Sequence, residues 1–124
     1  MLQRILIVED EVIVADDLAW QVGQLGYDVV GFADSGEEAI TIADETKPDI
    51  VLMDVQLRDG TTGIESARVI QDRTGAAMVF LTAYAAVLAR DRVRIPSSAM
   101  CLSKPFSMLQ LKTALETLGS RERN

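Results

Sequence analysis

The chain has 124 residues, with 12 lysines and arginines against 19 aspartates and glutamates, so its formal net charge is −7. This acidic balance argues against binding to a nucleic-acid backbone or to an anionic membrane surface, because both require a basic face. The sequence contains no histidine and a single cysteine, which excludes a Ser-His-Asp site, a histidine-containing zinc site and an internal disulfide. No apolar run approaches membrane length, and we predict a single cytoplasmic domain.

Short apolar runs alternate with longer amphipathic stretches along the chain, which is typical of a parallel α/β sheet. The apolar runs predict strands over 5–8, 28–33, 50–53, 77–81 and 99–102. Residues at helical spacing, with capping signals at their ends, predict helices over 12–25, 35–45, 64–70 and 108–118. Gly119 is predicted to end the last helix. We therefore expect one domain over 1–119, followed by a short polar tail over 120–124.

Two local features carry a prediction of their own. Trp20 lies at helical spacing from Ile13 and is predicted to pack against the core. The segment 84–98 has a thin apolar stripe and a proline, Pro96, near its end. Because a short helix without a packed apolar face is marginal, we predict that a fourth helix in this segment is short, irregular or mobile.

Polar side chains stand where the predicted strands end: Glu9 and Asp10 after the first, Asp54 after the third, Thr82 after the fourth and Lys104 after the fifth. Parallel strands end at the same edge of a sheet, so we expect these side chains to converge. Two carboxylates about 4 Å apart repel by roughly 4 kcal/mol at an effective dielectric constant of 20, which favours a bound hard cation such as Mg²⁺. A carboxylate can also attack phosphorus, and a hydroxyl and an ammonium can bind phosphoryl oxygens.

Each of these residues has an ordinary structural interpretation when it is taken alone. Asp10 could cap a helix, Asp54 could be a loop acid, Thr82 a strand-end hydroxyl and Lys104 a solvated surface charge. The functional interpretation depends on the order in which all of them occur at successive strand ends.

Four motifs at these strand ends resemble those of a known family: Ile7-Val8-Glu9-Asp10-Glu11, Val51-Leu52-Met53-Asp54, Phe80-Leu81-Thr82-Ala83 and Lys104-Pro105-Phe106. With them the chain resembles, from end to end, a response-regulator receiver domain of two-component signalling. The resemblance implies a flavodoxin-like, doubly wound sheet of five parallel strands in the order 2-1-3-4-5.

The resemblance also implies a phosphorylation chemistry. Asp54 would be the phosphoacceptor, charged by a phosphohistidine of a sensor histidine kinase or a phosphotransfer protein. Mg²⁺ would be bound by the side chains of Asp10 and Asp54, by the backbone carbonyl of Gln56 and, through water, by Glu9. The protein would assist its own phosphorylation without turning over a separate substrate.

A second set of residues would read out the phosphorylation. By resemblance, Thr82 and Lys104 bind the phosphoryl oxygens, Ala83 and Tyr84 belong to the switch, and the peptide bond between Lys104 and Pro105 is cis. The domain would act as a conformational switch for a downstream protein partner or as a phosphate sink, and would be a monomer or weak dimer.

The chain also departs from the usual receiver pattern. Arg58 replaces a common proline, and Gly63 follows Asp54 by nine residues, about one more than usual. Cys101 stands where many receivers have a tyrosine or phenylalanine. Tyr84 follows Thr82 by two residues, as in the Phe-x-Thr-x-Tyr variant of certain single-domain receivers.

Two other interpretations remain open from the residues. A phosphohydrolase of the haloacid-dehalogenase type also uses Asp, Thr, Lys and Mg²⁺, but it needs a second Asp two residues after the nucleophile, where this chain has Gln56. An interaction module that is never phosphorylated is the other, although binding alone does not require carboxylates that repel one another.

Overall fold

The computed structural model describes residues 2–55, 63–82 and 99–122, with side chains as far as Leu118. Within these ranges five strands are present: β1 (Arg4–Val8), β2 (Asp28–Ala33), β3 (Ile50–Asp54), β4 (Ala77–Thr82) and β5 (Met100–Ser103). The helices of the same ranges are α1 (Val12–Gln24), α2 (Gly36–Thr46), α3 (Gly63–Thr74) and α4 (Met108–Glu122).

The strands form one parallel sheet in the order β2-β1-β3-β4-β5, which confirms the predicted fold class. The first strand, β1, lies inside the sheet. The next strand, β2, lies on one side of it, and β3, β4 and β5 follow in order on the other side. This reversal of direction occurs between β1 and β3. In doubly wound folds it opens a crevice at the carboxyl ends of those strands.

The central strands are continuous apolar runs because helices cover both faces of the sheet. Leu6 and Val8 of β1 pack into one core with α2 and α3. Ile5 and Ile7 point to the other face and pack into a second core with α1 and α4. All four side chains are fully buried.

Local signals in the sequence account for several helix ends. Ser35 caps α2 by accepting a hydrogen bond from the backbone amide of Glu38 at 3.1 Å, as its spacing predicts. Lys47 ends the same helix in the left-handed conformation, and Gly26 has a φ of 93° just after α1. Left-handed residues at these positions stop a helix because they turn the chain out of the helical path.

The exposed side of α1 corrects one prediction. Trp20 is 61% exposed and Ile13 is 84% exposed, so neither is a core residue. The buried stripe of this helix consists of Ala15, Leu18 and Val22. Trp20 follows Leu18 by two positions, or about 200° around the helix, and therefore faces solvent.

The last helix is longer than predicted. Gly119 does not end α4, which continues to Glu122, so three residues of the expected polar tail are helical. A glycine inside a helix costs only about 1 kcal/mol relative to alanine, and it ends a helix when it adopts a left-handed conformation. The predicted irregular segment 84–98 lies outside the described residues.

Candidate functional site

The predicted site residues within the described ranges meet at the carboxyl edge of the sheet. Glu9 directly follows β1, and Asp54 and Thr82 are the last residues of β3 and β4. Lys104 directly follows β5, and Asp10 is the residue next to Glu9. Residues up to 95 positions apart are thus brought together because their strands are parallel and end in line.

Backbone hydrogen bonds between neighbouring strand ends hold these residues in place. The amide of Glu9 donates to the carbonyl of Ala33 at 2.9 Å, and the amide of Lys104 donates to the carbonyl of Thr82 at 2.8 Å. Asp54 pairs with Leu81 in the ladder between β3 and β4. The site is therefore built on the sheet itself, which limits how far the backbone of each functional residue can move.

Three carboxylates form a compact cluster. Oxygen atoms of Glu9, Asp10 and Asp54 lie within 4.8 Å of one another. Glu9 and Asp54 are buried, with 5% and 6% of their surface exposed, whereas Asp10 is half-buried. The cluster thus has two acids in the protein interior and one at its mouth.

Lys104 supplies the positive charge that faces this cluster. Its Nζ atom lies 3.1 Å from Oε2 of Glu9 and 3.4 Å from Oδ2 of Asp54. The peptide bond between Lys104 and Pro105 is cis, as the family resemblance implies. One ammonium thus contacts two of the three carboxylates.

The pKa of Glu9 records how poorly its charge is compensated. Burial and the negative charge of Asp54 raise this pKa from 4.5 to about 7. The amide of Glu11, which donates to Oε1 of Glu9 at 3.2 Å, and the ammonium of Lys104 oppose the increase but do not cancel it. For Lys104, burial lowers the pKa, but the attraction of Asp54 and Glu9 outweighs burial and raises it above the usual value.

The donor atoms of the cluster suit Mg²⁺. This ion prefers hard oxygen ligands at about 2.1 Å, so two oxygens on opposite sides of it lie about 4 Å apart. It also retains several waters. Carboxylate oxygens within 4.8 Å of one another can reach such an ion through small side-chain rotations. A divalent charge would also relieve the repulsion between Glu9 and Asp54.

Several expectations fall outside the described residues. These are the metal-binding carbonyl of Gln56, the switch residues Ala83 and Tyr84, and the unusual loop residue Arg58. Cys101 is described and lies exposed on β5. Two contacts were not predicted: the ion pair between Glu9 and Lys104, and the close approach of Gly63 to the backbone carbonyl of Asp54, from which a Cβ at residue 63 would be only 2.3 Å away.

Thr82 completes the set of predicted residues that the structure describes. It is 2% exposed and lies in register with Ser103, one residue before Lys104. Thr82 follows Leu81, which pairs with Asp54, so the backbone of Thr82 lies beside the carboxylate cluster.

Comparison with known proteins decides the family. Residues 5–116 match the family described as the response regulator receiver domain. The chain belongs to this family. It is 40% identical over 123 residues to the transcriptional regulatory protein PdtaR of Mycobacterium tuberculosis, an alignment that covers 98% of this chain and 58% of PdtaR.

Solved receiver structures have the same architecture. The solution structure of the receiver domain of the Erythrobacter litoralis response regulator PhyR superimposes with a TM-score of 0.85 at 30% identity, covering 94% of this chain and 89% of the other. The anti-anti-sigma factor PhyR from Bartonella quintana gives a TM-score of 0.88 at 28% identity, covering all of this chain and 50% of the other. This chain therefore spans little more than half the length of PdtaR and half that of the B. quintana protein.

Among the described residues, no helix is both long enough and apolar enough to cross a bilayer.

Proposed function

We propose that Asp54 accepts a phosphoryl group from a phosphohistidine of a sensor kinase or phosphotransfer protein in a Mg²⁺-dependent reaction. The observation that carries this proposal is the cluster in which Asp54 shares an edge of the sheet with Glu9 and Asp10 while Lys104 lies 3.4 Å from its carboxylate. Membership of the receiver family supports the same chemistry.

The reaction forms one bond and breaks another. An oxygen of Asp54 attacks the phosphorus, and the bond between phosphorus and the donor imidazole nitrogen breaks with its electron pair moving to that nitrogen. Asp54 suits this role because part of its carboxylate remains accessible, with the side chain 9% exposed. Because Asp54 stands at the end of a buried strand, a phosphodonor can approach its carboxylate from a restricted direction only.

The acids around Asp54 prepare the site for a cation. Asp10 and Asp54 would bind Mg²⁺ directly, and Glu9 would bind it through water, with the backbone carbonyl of Gln56 as a further ligand. When bound, the ion would neutralise the acids and the phosphoryl charge that approaches them. Without that neutralisation, two buried carboxylates would repel an incoming phosphoryl group.

Lys104 and Thr82 would receive the product. The ammonium of Lys104 already lies beside Asp54, so it can move from the Asp54 carboxylate to a phosphoryl oxygen once Asp54 is phosphorylated. The hydroxyl of Thr82 would donate a hydrogen bond to a second phosphoryl oxygen. Ala83 and Tyr84, which follow Thr82 in the chain, would transmit this contact to a downstream partner.

The domain would act as a signalling switch or a phosphate sink, with no separate substrate to turn over. Relatives of this chain carry names of regulators, which is consistent with a non-enzymatic role. The phosphohydrolase alternative is not supported, because the chain matches the receiver family over nearly its whole length.

The test is Mg²⁺-dependent phosphorylation by a small phosphodonor. Purified protein is incubated with acetyl phosphate and Mg²⁺, and its intact mass is measured. We expect the mass of one base-labile phosphate, which is absent from Asp54→Asn and absent when Mg²⁺ is chelated. Asp16→Asn, which removes an exposed acid from α1, serves as the control and should be labelled like the native chain.

Labelling of Asp54→Asn to the native extent would refute the assignment of Asp54. Labelling that is unaffected by chelation would refute the role of Mg²⁺.

A further inference from the structure

Gly63 occupies a position where the structure has no room for a side chain. A Cβ atom at this residue would lie 2.3 Å from the carbonyl oxygen of Asp54 and 2.7 Å from Cγ of Met53. Positive φ angles occur at Gly26 and Gly75 among the described glycines, but not at Gly63. The requirement for glycine at position 63 is therefore one of space and not of backbone conformation.

The contact at Gly63 differs in kind from those at Gly23 and Gly31. A Cβ at Gly23 would have no atom within 4 Å, and one at Gly31 would meet a side-chain atom, Cγ2 of Ile42, at 2.9 Å. At Gly63 the nearest atom belongs to the backbone of the proposed phosphoacceptor. It would have to move by at least about 0.7 Å to restore 3.0 Å, below which real Cβ contacts essentially never occur.

The start of α3 is held by apolar packing and by a backbone hydrogen bond. Its residues Ile64, Ala67 and Ile70 are at most 2% exposed and pack into the core. The amide of Gly63 also donates to the carbonyl of Val55 at 3.0 Å. If α3 moved away, it would lose both this hydrogen bond and its apolar contacts.

The end of β3 is held in the sheet. Asp54 is the last residue of β3 and pairs with Leu81 of β4, and the amide of the next residue, Val55, donates to the carbonyl of Leu81 at 3.1 Å. A side chain at position 63 would therefore force the start of α3 and the backbone of Asp54 apart, against the contacts that hold each of them.

We propose that Gly63 is a positioning residue for Asp54: by letting α3 begin directly against the end of β3, it sets where the Asp54 carboxylate stands relative to Lys104 and the other acids. This inference rests on the proposed function of Asp54. Metal and phosphoryl sites require their ligands to be held within about 0.5 Å, so a shift of the expected size would disrupt both.

The experiment compares Gly63→Ala with two control variants. Mg²⁺ affinity is measured by calorimetric titration, and the rate of phosphorylation by acetyl phosphate is measured at saturating Mg²⁺. We expect Gly63→Ala to weaken Mg²⁺ binding about tenfold or more and to slow phosphorylation by about 100-fold, since a misplacement of about 1 Å can reduce a rate by that factor.

The controls separate positioning from general loss of stability. Gly23→Ala adds a methyl group where nothing lies within 4 Å, and it should leave both quantities unchanged. Ile70→Val removes one methylene from the core side of α3, far along the helix from Asp54. It should lower the melting temperature while retaining native Mg²⁺ affinity and phosphorylation rate. If Gly63→Ala is partly unfolded, all four proteins are measured in trimethylamine N-oxide, which favours the folded state.

A folded Gly63→Ala variant with native Mg²⁺ affinity and native phosphorylation rate would overturn the inference. Equal losses in Gly63→Ala and Ile70→Val would also overturn it, because they would reflect stability alone. Failure of the native chain to bind Mg²⁺ or to accept phosphate would instead refute the proposed function.

Discussion

The two edges of the sheet differ in how far their charged groups are compensated by partners within the chain. At the amino-terminal edge, the guanidinium of Arg4 donates to the carbonyls of Thr46 and Lys47, the last of which lies 3.1 Å away. The carboxylate of Asp49 accepts the amide of Arg4 at 2.8 Å. At the carboxyl edge, one lysine ammonium contacts two of the three clustered carboxylates, and the pKa of Glu9 is raised to about 7.

This difference separates an edge whose charges are paired within the chain from the edge at which we propose the phosphorylation site. The amino-terminal groups satisfy one another within the chain: Arg4 caps the end of α2, whose last carbonyls would otherwise lack partners. The carboxyl edge retains an excess of negative charge that a bound cation would offset. Variants at the two edges should therefore respond differently to Mg²⁺.

The largest effect on stability is expected from removing Lys104. In Lys104→Met, Glu9 and Asp54 lose their cationic partner, and we expect the metal-free protein to lose about 3 kcal/mol of unfolding free energy. Mg²⁺ should stabilise this variant more than it stabilises the native chain. The measurement is urea unfolding with and without Mg²⁺.

Lys112→Met is the matched control for this variant. Lys112 is about half exposed and lies 3.9 Å from Glu116, a pair that contributes at most about 0.5 kcal/mol. A loss in Lys104→Met no larger than that in Lys112→Met would contradict the account of the charged cluster.

Glu9→Gln should have the opposite effect on the unfolding free energy of the metal-free protein and stabilise it. The pKa of Glu9 is about 7 in the folded protein against 4.5 ordinarily, so between these pH values the folded chain holds a proton that the unfolded chain has released. Stability attributable to Glu9 therefore falls as the pH rises from about 4.5 to about 7. At pH 8 without metal, Glu9→Gln should be more stable than the native chain by on the order of 2 kcal/mol.

This gain should shrink when the comparison is repeated at pH 5, where Glu9 is mostly protonated in the folded protein. Thermal unfolding at both pH values provides the measurement, with Glu116→Gln as an exposed control. A Glu9→Gln variant that is less stable than the native chain at pH 8 would show that the contact with Lys104 outweighs burial and repulsion.

Arg4→Ala tests the other edge. The substitution leaves the carbonyls of Thr46 and Lys47 without their side-chain donor, and we expect a loss of about 1–2 kcal/mol. Arg73→Ala, which breaks an exposed ion pair with Asp44, should cost less. Mg²⁺ should stabilise Arg4→Ala as much as the native chain, and a reduced response in thermal unfolding would mean that the two edges are not independent.

The smallest of these effects is expected from Asp10→Asn. A ligand that binds only the folded state stabilises it by RT ln(1 + [L]/Kd), which is about 1.4 kcal/mol at tenfold excess over Kd. Asp10→Asn should reduce the rise in melting temperature that Mg²⁺ produces, whereas Asp16→Asn should not. An unchanged response in Asp10→Asn would exclude Asp10 from the metal site.

Periodicity and chemistry predicted the sheet and the convergence of its strand ends, because both follow from apolar runs and from parallel strands. They did not predict the exposure of Trp20, since a spacing of seven residues from Ile13 places two residues on one face without saying which face is buried. The cis bond before Pro105 came from the family resemblance.

Contacts between distant residues were harder to predict. The ion pair of Glu9 with Lys104 joins residues 95 positions apart and depends on side-chain reach across the sheet edge. The close approach of Gly63 to the backbone carbonyl of Asp54 depends on how a helix packs against a strand, which composition does not reveal. A glycine at the start of a predicted helix, shortly after the candidate phosphoacceptor, was the only available signal.

The most direct test of the central claim locates the phosphate on the chain. Protein treated with acetyl phosphate and Mg²⁺ is reduced with borohydride, which converts a phosphorylated aspartate to homoserine, and its peptides are sequenced by mass spectrometry. We expect homoserine at position 54, no homoserine at Asp10, and no 5-hydroxynorvaline, the corresponding product of a phosphorylated glutamate, at Glu9. Homoserine at another aspartate, with residue 54 unmodified, would contradict the account.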